Sequence, residues 1–183
     1  MSQTKLLNID GIKILQASSH SDNRGTFKKF ARFTELSQGF SYTAISINPK
    51  LGTIRGLHFQ LEPYTEEKLV SCITGRIHDV VVDLRPESST YGYWASVELR
   101  SDDSTQLFIP RGIAHGYQTL TTDTVVQYIL TNEYSSLHSH SIDPLGDLQI
   151  TWPLAPGQIA VKDATGLNFA SASALYHRSL KTT

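Results

Sequence analysis

Between Ser41 and Thr131 the chain is built from short runs of apolar residues, several alternating with polar ones and each ending at a turn. Tyr93, Ala95, Val97 and Leu99 alternate with Trp94, Ser96, Glu98 and Arg100, the period of a half-buried strand. Ser41–Ile47 alternates in part and predicts a strand that breaks at Asn48-Pro49-Lys50-Leu51-Gly52. Lys68–Thr74 and Arg76–Leu84 flank Gly75 as a predicted hairpin. Val80-Val81-Val82 is apolar on both faces, which predicts a strand packed on both sides. Leu107–Ile109 runs into the turn Pro110-Arg111-Gly112. Ala114–Leu120 and Thr124–Thr131 are two further strands around Thr121-Thr122-Asp123, with Val126, Tyr128 and Leu130 on one face. Leu6–Leu15 reads as one or two strands broken at Gly11. The turn Ser21–Gly25 leads into Phe27–Phe33, in which Phe27, Phe30 and Phe33 are apolar, and Thr34–Gly39 has room for one helical turn. After Tyr134 the periodicity weakens, and residues 164–183 read as a loose tail or a short helix. Many short strands with frequent turn glycines and little helix specify an all-β barrel or sandwich. Closing a barrel removes exposed edges and leaves an interior that holds one small ligand.

With 183 residues, the chain suits a single domain, 1–183, with a sizeable core. Sixteen Lys and Arg against seventeen Asp and Glu give a net charge of -1, which favours neither nucleic acid nor a membrane surface. No apolar run nears the roughly 20 residues of a spanning helix, and no signal-peptide core is present, so a cytoplasmic protein is expected. The single cysteine, Cys72, excludes an internal disulfide and a Cys-rich zinc site; its apolar context predicts a buried thiol.

Ile54–Val70 concentrates the chemistry. Arg55, His58, Gln60 and Lys68 are interleaved with Leu57, Phe59, Leu69 and Val70. Extended geometry puts His58 and Gln60 on one face and Leu57 and Phe59 on the other. A polar row inside a barrel is costly unless a ligand or a network pairs it. Taken singly, each of these residues has a plainer reading: a satisfied barrel histidine, surface cations, a core tyrosine at 128, a turn aspartate at 163. A metal site is not expected. Cupin-type metal barrels carry two histidines one residue apart, and here the second position is Gln60, while His115 stands alone on its strand. His20, His78, His138, His140 and His177 have no comparable context and read as structural or exposed.

Arg55-Gly56-Leu57-His58-Phe59-Gln60 with Lys68-Leu69-Val70, followed by Asp79–Arg85, resembles the RmlC family, the dTDP-4-dehydrorhamnose 3,5-epimerases of deoxysugar biosynthesis. Further matches run in family order: Asp22–Gly25 with Phe27, Ser89–Trp94, Ile109–Tyr117, Tyr128, Tyr134, Asp143-Pro144, Trp152-Pro153 and Lys162-Asp163. The resemblance implies a cupin, jelly-roll-type β-barrel with few short helices, a homodimer, and a nucleotide-linked 4-keto-6-deoxysugar substrate. It implies that His58 is the base beside the ketone, that Asp163 orients its ring, and that Tyr128 is the acid on the opposite face. Arg55 and Lys68 match cations around the keto oxygen and phosphates. Arg24, Phe27, Gln60, His115 and Tyr134 match positions lining the same pocket.

Elementary chemistry agrees with that set. Epimerisation beside a ketone passes through an enolate and needs a base with a pKa near neutrality, fixed positive charge at the oxygen, and a second proton donor. The substrate's own ketone is the electron sink, so no cofactor is expected. The chain departs from the family at Lys29, usually acidic, at Thr43-Ala44-Ile45, usually Gln-x-Asn, and near Ser139, usually Glu. Those departures leave open a CDP- or GDP-linked ketosugar, inversion at a single carbon, or a sugar-binding cupin without turnover. A metal-dependent cupin oxygenase is a further alternative.

Overall fold

The inward-facing residues of the strands meet in pairs of sheets. The computed structural model describes residues 8–30, 36–37 and 39–181. Its strands are β1 (Lys13–Gln16), β2 (Ser18–Asp22), β3 (Gly25–Lys29), β4 (Tyr42–Asn48), β5 (Ile54–Gln60), β6 (Lys68–Thr74), β7 (Arg76–Asp83), β8 (Trp94–Arg100), β9 (Thr105–Ile109), β10 (Ile113–Thr119), β11 (Thr124–Leu130) and β12 (Ser139–Ser141). Two short helices follow, α1 (Val161–Ala164) and α2 (Phe169–Ser179). One antiparallel sheet has the order β1-β9-β6-β11-β4, the other β12-β5-β10-β7-β8, and β2-β3 forms a separate hairpin. This is the expected all-β jelly roll. The helical turn expected at 34–39 falls largely outside the described residues, as does the end of the segment running to Phe33.

The predicted hairpin around Gly75 is not one. β6 pairs with β9 and β11, whereas β7 pairs with β8 and β10 in the other sheet. The turn at Gly75 therefore crosses between sheets, as does the one between β10 and β11. Period-two alternation states which face is buried and carries no information on which strand is the partner.

Three apolar layers result. Between the sheets, Ile77, Val81, Ile113 and Tyr117 of one pack against Val70, Cys72, Leu107 and Val126 of the other. Outside the second sheet, Leu57, Phe59, Val80 and Val82 pack against Ala172 and Tyr176 of α2. Val81 thus faces one layer and its two neighbours the other, as the triple valine predicts. A smaller layer, with Leu36, Leu69 and Phe108, covers the first sheet. Burying each such side chain contributes about 1.5–3 kcal/mol. Cys72 belongs to the central layer, where burial pushes its thiol up to about 12, out of reach of nucleophilic chemistry.

β5 and β10 carry one irregularity. His115 pairs with His58 and Tyr117 with Arg55, so two steps along β10 match three along β5. A bulge of this kind re-phases the strand. It puts Arg55 on the same face as His58, where strict alternation would oppose them. Gly56 and Gly116 lie at this point. A Cβ on Gly56 would be 2.6 Å from the His115 carbonyl oxygen, and one on Gly116 would be 2.6 Å from that of Arg55. No side chain fits at either position.

Candidate active site

The bulge and the two glycines bring β5 and β10 close on one wall of a cavity of about 240 Å³ between the sheets. Arg55, His58 and Gln60 enter it from β5 and His115 from β10. Lys68 of β6 and Tyr128 of β11 enter from the opposite sheet. His58 and Tyr128 therefore share one chamber, on facing walls. Tyr134, 59% exposed, stands at its mouth.

His58 is held by groups remote in sequence. Its Nε2 lies 2.8 Å from Asp163 Oδ1. Ser141 Oγ donates to the same oxygen at 3.0 Å, and the Gly56 amide donates to Oδ2 at 3.1 Å. Asp163 is 1% exposed. Burial pushes its carboxyl up, but the donors from His58, Gly56 and Ser141 outweigh it and hold the group below the usual carboxylate range. The ionised carboxylate accepts a hydrogen bond from Nε2–H, which fixes the proton there and leaves Nδ1 as the ring's basic atom. Burial lowers the His58 pKa and the Asp163 carboxylate partly restores it, so the ring is neutral near pH 7.

Tyr128 is the opposite case. Burial raises its phenol well above the ordinary 10, the neighbouring Tyr117 phenol and the Asp79 charge add to the rise, and Arg55 pulls against it. The group is a neutral O–H donor. Its ring stands edge-on to His115, with centroids 6.1 Å apart. His115 Nε2 is held in turn by Asp79, at 2.9 and 3.0 Å, both residues being buried. Arg55 Nε donates to Asn48 Oδ1 at 2.9 Å, which fixes the guanidinium.

Gln60 is placed in the cavity wall but its amide is engaged: it donates to Tyr64 O, Glu133 O and Glu66 Oε2, and accepts from the Ser135 amide. It pins the loops at the mouth. Arg24 and Phe27 are not brought to the cavity. They sit on the β2–β3 hairpin, Arg24 paired with Asp22 at 2.6 Å and Phe27 65% exposed. That two-stranded ribbon joins neither large sheet, and Arg24 and Phe27 line a separate surface depression.

Several residues of the cavity and its support carry no role in the sequence analysis, among them Asp79, Asn48, Glu66, Lys162 and Ser141. Asp79 had a signal, since an acid inside the apolar run Ile77–Val82 needs a buried partner. Glu66 and Ser141 had none, standing in polar segments where solvated side chains are ordinary, and Lys162 showed only as the neighbour of Asp163 in the family match. Among the described residues, no group of three or more His, Cys, Asp or Glu side chains is placed to hold a metal ion.

Comparison with known proteins agrees with this architecture. The chain is 40% identical over 155 residues to the dTDP-4-dehydrorhamnose 3,5-epimerase of Sinorhizobium fredii, covering 80% of this chain and 78% of that one. The crystal structure of the Bacillus anthracis dTDP-4-dehydrorhamnose 3,5-epimerase with TDP and PPi bound superposes with a TM-score of 0.85 at 32% identity, over 92% of this chain and 99% of that one. The Legionella pneumophila dTDP-6-deoxy-D-glucose-3,5-epimerase in complex with dTDP-4-keto-L-rhamnose does so with a TM-score of 0.85 at 32% identity, over 93% and 94%. The model of the dTDP-4-dehydrorhamnose 3,5-epimerase family matches residues 6–171, and the chain belongs to that family.

Proposed function

We propose that the protein epimerises a dTDP-linked 4-keto-6-deoxyhexose at C3 and C5 without a cofactor. The observation that carries this is the facing pair: an imidazole oriented by a buried carboxylate on one wall, and a neutral phenol on the other. His58 Nδ1 removes the proton from the carbon beside the C4 ketone. The electron pair moves to the keto oxygen, where Arg55 and Lys68 supply positive charge to the enolate. Tyr128 delivers a proton to the other face of the same carbon, which inverts it. Both C3 and C5 flank the ketone, so one set of groups serves both.

At about 240 Å³ the cavity is smaller than the roughly 300 Å³ of sites for drug-sized ligands, which suits the sugar ring with the nucleotide along the mouth. Ala44, Ile45 and Ser139, where the chain departs from the family, line that same cavity. The ligands named in the two solved relatives, TDP and dTDP-4-keto-L-rhamnose, support a dTDP carrier over CDP or GDP. The protein acts as a cytoplasmic homodimer. The exposed Ile45 and Ile47 on the edge strand β4, and the exposed Arg24 and Phe27 on their outlying hairpin, support an interface with a second copy. Among the described residues, no helix is long and apolar enough to cross a membrane.

The test is deuterium wash-in from solvent with dTDP-, CDP- and GDP-linked 4-keto-6-deoxyglucose. Exchange at C3 and C5 of the dTDP sugar with inversion at both is the expected result. Exchange at one carbon only, or at neither, overturns the reading.

A further inference from the structure

The cavity holds a carboxylate that the proton-transfer scheme does not use. Glu66 Oε1 lies 3.2 Å from Lys68 Nζ, and the two side chains are 8% and 9% exposed. Its other oxygen, Oε2, accepts from Gln60 Nε2 at 3.2 Å. The chain of contacts extends outward, because Gln60 Oε1 accepts from the Ser135 amide at 2.8 Å. The loop that presents Glu66 is itself pinned. Tyr64 O accepts from Gln60, Pro63 O and Thr65 O accept from Asn132, and the Glu67 amide donates to Thr131 Oγ1. Glu66, Lys68 and Gln60 all line the cavity.

Such a pair is an expensive way to fill space. Apolar side chains of the same size pack without desolvating two charges. A negative charge is also unwelcome where an enolate forms, unless it does something for the cation beside it. Lysine is a compact charge on a flexible four-carbon stem, and an electrostatic stabiliser must be aimed before the charge develops. An ammonium has three N–H donors, so one given to Glu66 leaves two for a substrate oxygen.

We propose that Glu66, braced by Gln60, is a positioning residue that fixes the Lys68 ammonium where the enolate oxygen forms. The inference rests on the epimerase reading for what Lys68 is aimed at; the brace itself rests on the contacts alone.

Two measurements separate them. With the dTDP ketosugar, Glu66→Gln is expected to lower kcat ten- to a hundredfold, the loss that follows from about 1 Å of misplacement, with KM within twofold of wild type. Glu66→Asp, which keeps the charge and shortens its reach, should fall between the two and guards against a folding defect in the first variant. In the free protein, ¹H–¹⁵N NMR of lysine ammonium groups, with the signal assigned through Lys68→Arg, should show a resolved Lys68 resonance that is lost in Glu66→Gln. A kcat within twofold of wild type in either folded variant overturns the proposal. So does a raised KM at unchanged kcat, or a Lys68 signal that survives the substitution. If wild type turns over no nucleotide ketosugar, the epimerase reading fails, and the NMR result alone then decides the brace.

Discussion

The Asp163 carboxylate lies 2.8 Å from His58 Nε2, though 105 residues separate them in the chain. β5 supplies the imidazole and α1 supplies the carboxylate, with Ser141 of β12 completing the contact. Asp163→Asn keeps the shape and removes the charge that fixes the tautomer. Turnover should fall about 10²–10⁴-fold, by analogy with orienting carboxylates in hydrolases. The pH profile should move as well. As the proposed base His58 has to be neutral, and its pKa is lowered by burial while Asp163 opposes that lowering. Removing Asp163 lowers the pKa further, so the acid limb of kcat/KM shifts to lower pH while the plateau drops. A limb that moves upward, or stays put, would contradict the assignment.

His58 and Tyr128 are distinguishable by isotope. His58→Ala removes the proposed base, and wash-in at both carbons should vanish. Asp163 keeps its donors from Gly56 and Ser141, so the variant should fold, melting lower than wild type because a buried carboxylate loses one partner. Tyr128→Phe leaves His58 in place. Exchange should continue from the His58 side while net inversion falls by about 10² or more. Because the phenol is raised well above 10, its ionisation should contribute no alkaline limb below that pH in wild type.

Most of the fold was legible because burial in a barrel imprints period two on the strands. β4, β6 to β8, β10 and β11 all lie where alternation or apolar runs place them. β2 and β12 did not show, because Ser-Ser-His-Ser-Asp and Ser-His-Ser have no apolar face to reveal a strand. Strand partners were illegible for the reason met at Gly75: a turn residue does not say whether the chain folds back or crosses. The cavity set was legible only as joint order within one pattern. His58, Lys68, His115 and Tyr128 alternate correctly on their strands, but Arg55 reaches the same face through a bulge that alternation does not predict. Glu66 and Ser141 gain their roles from loops and an edge strand, where residue type alone carries no message.

Asp83 tests what a buried carboxylate outside the cavity contributes to the fold. Fully buried, it accepts from the Arg85 amide and guanidinium and from the Ser88 and Thr90 hydroxyls. Burial pushes its carboxyl up, yet these donors prevail and its pKa is below the ordinary 3.8. Stability from such a group is complete above the unfolded value and is lost as pH falls through the folded one. Asp83→Asn should therefore cost about 3 kcal/mol at pH 7 in urea denaturation. The gap from wild type should narrow below pH 3.8. A gap that widens in acid would show that another group dominates.

Gly116 offers the sharpest test of how the site is assembled, because its backbone is not in the left-handed region and only space is at issue. A methyl there would lie 2.6 Å from the Arg55 carbonyl oxygen and 2.7 Å from Leu57 Cδ2. Backbone cannot yield as a side-chain tip does, so Gly116→Ala must part β5 from β10. Overpacking of this kind costs about 1–3 kcal/mol. The parting strands carry Arg55 and His58 on one side and His115 on the other, so geometry is lost with stability. Turnover should fall about 10²-fold even at temperatures where the variant is fully folded, as follows from ångström-scale misplacement. Thermal melting alongside kcat separates the two effects. A variant that melts lower but turns over normally would mean that the close approach of the strands serves stability alone.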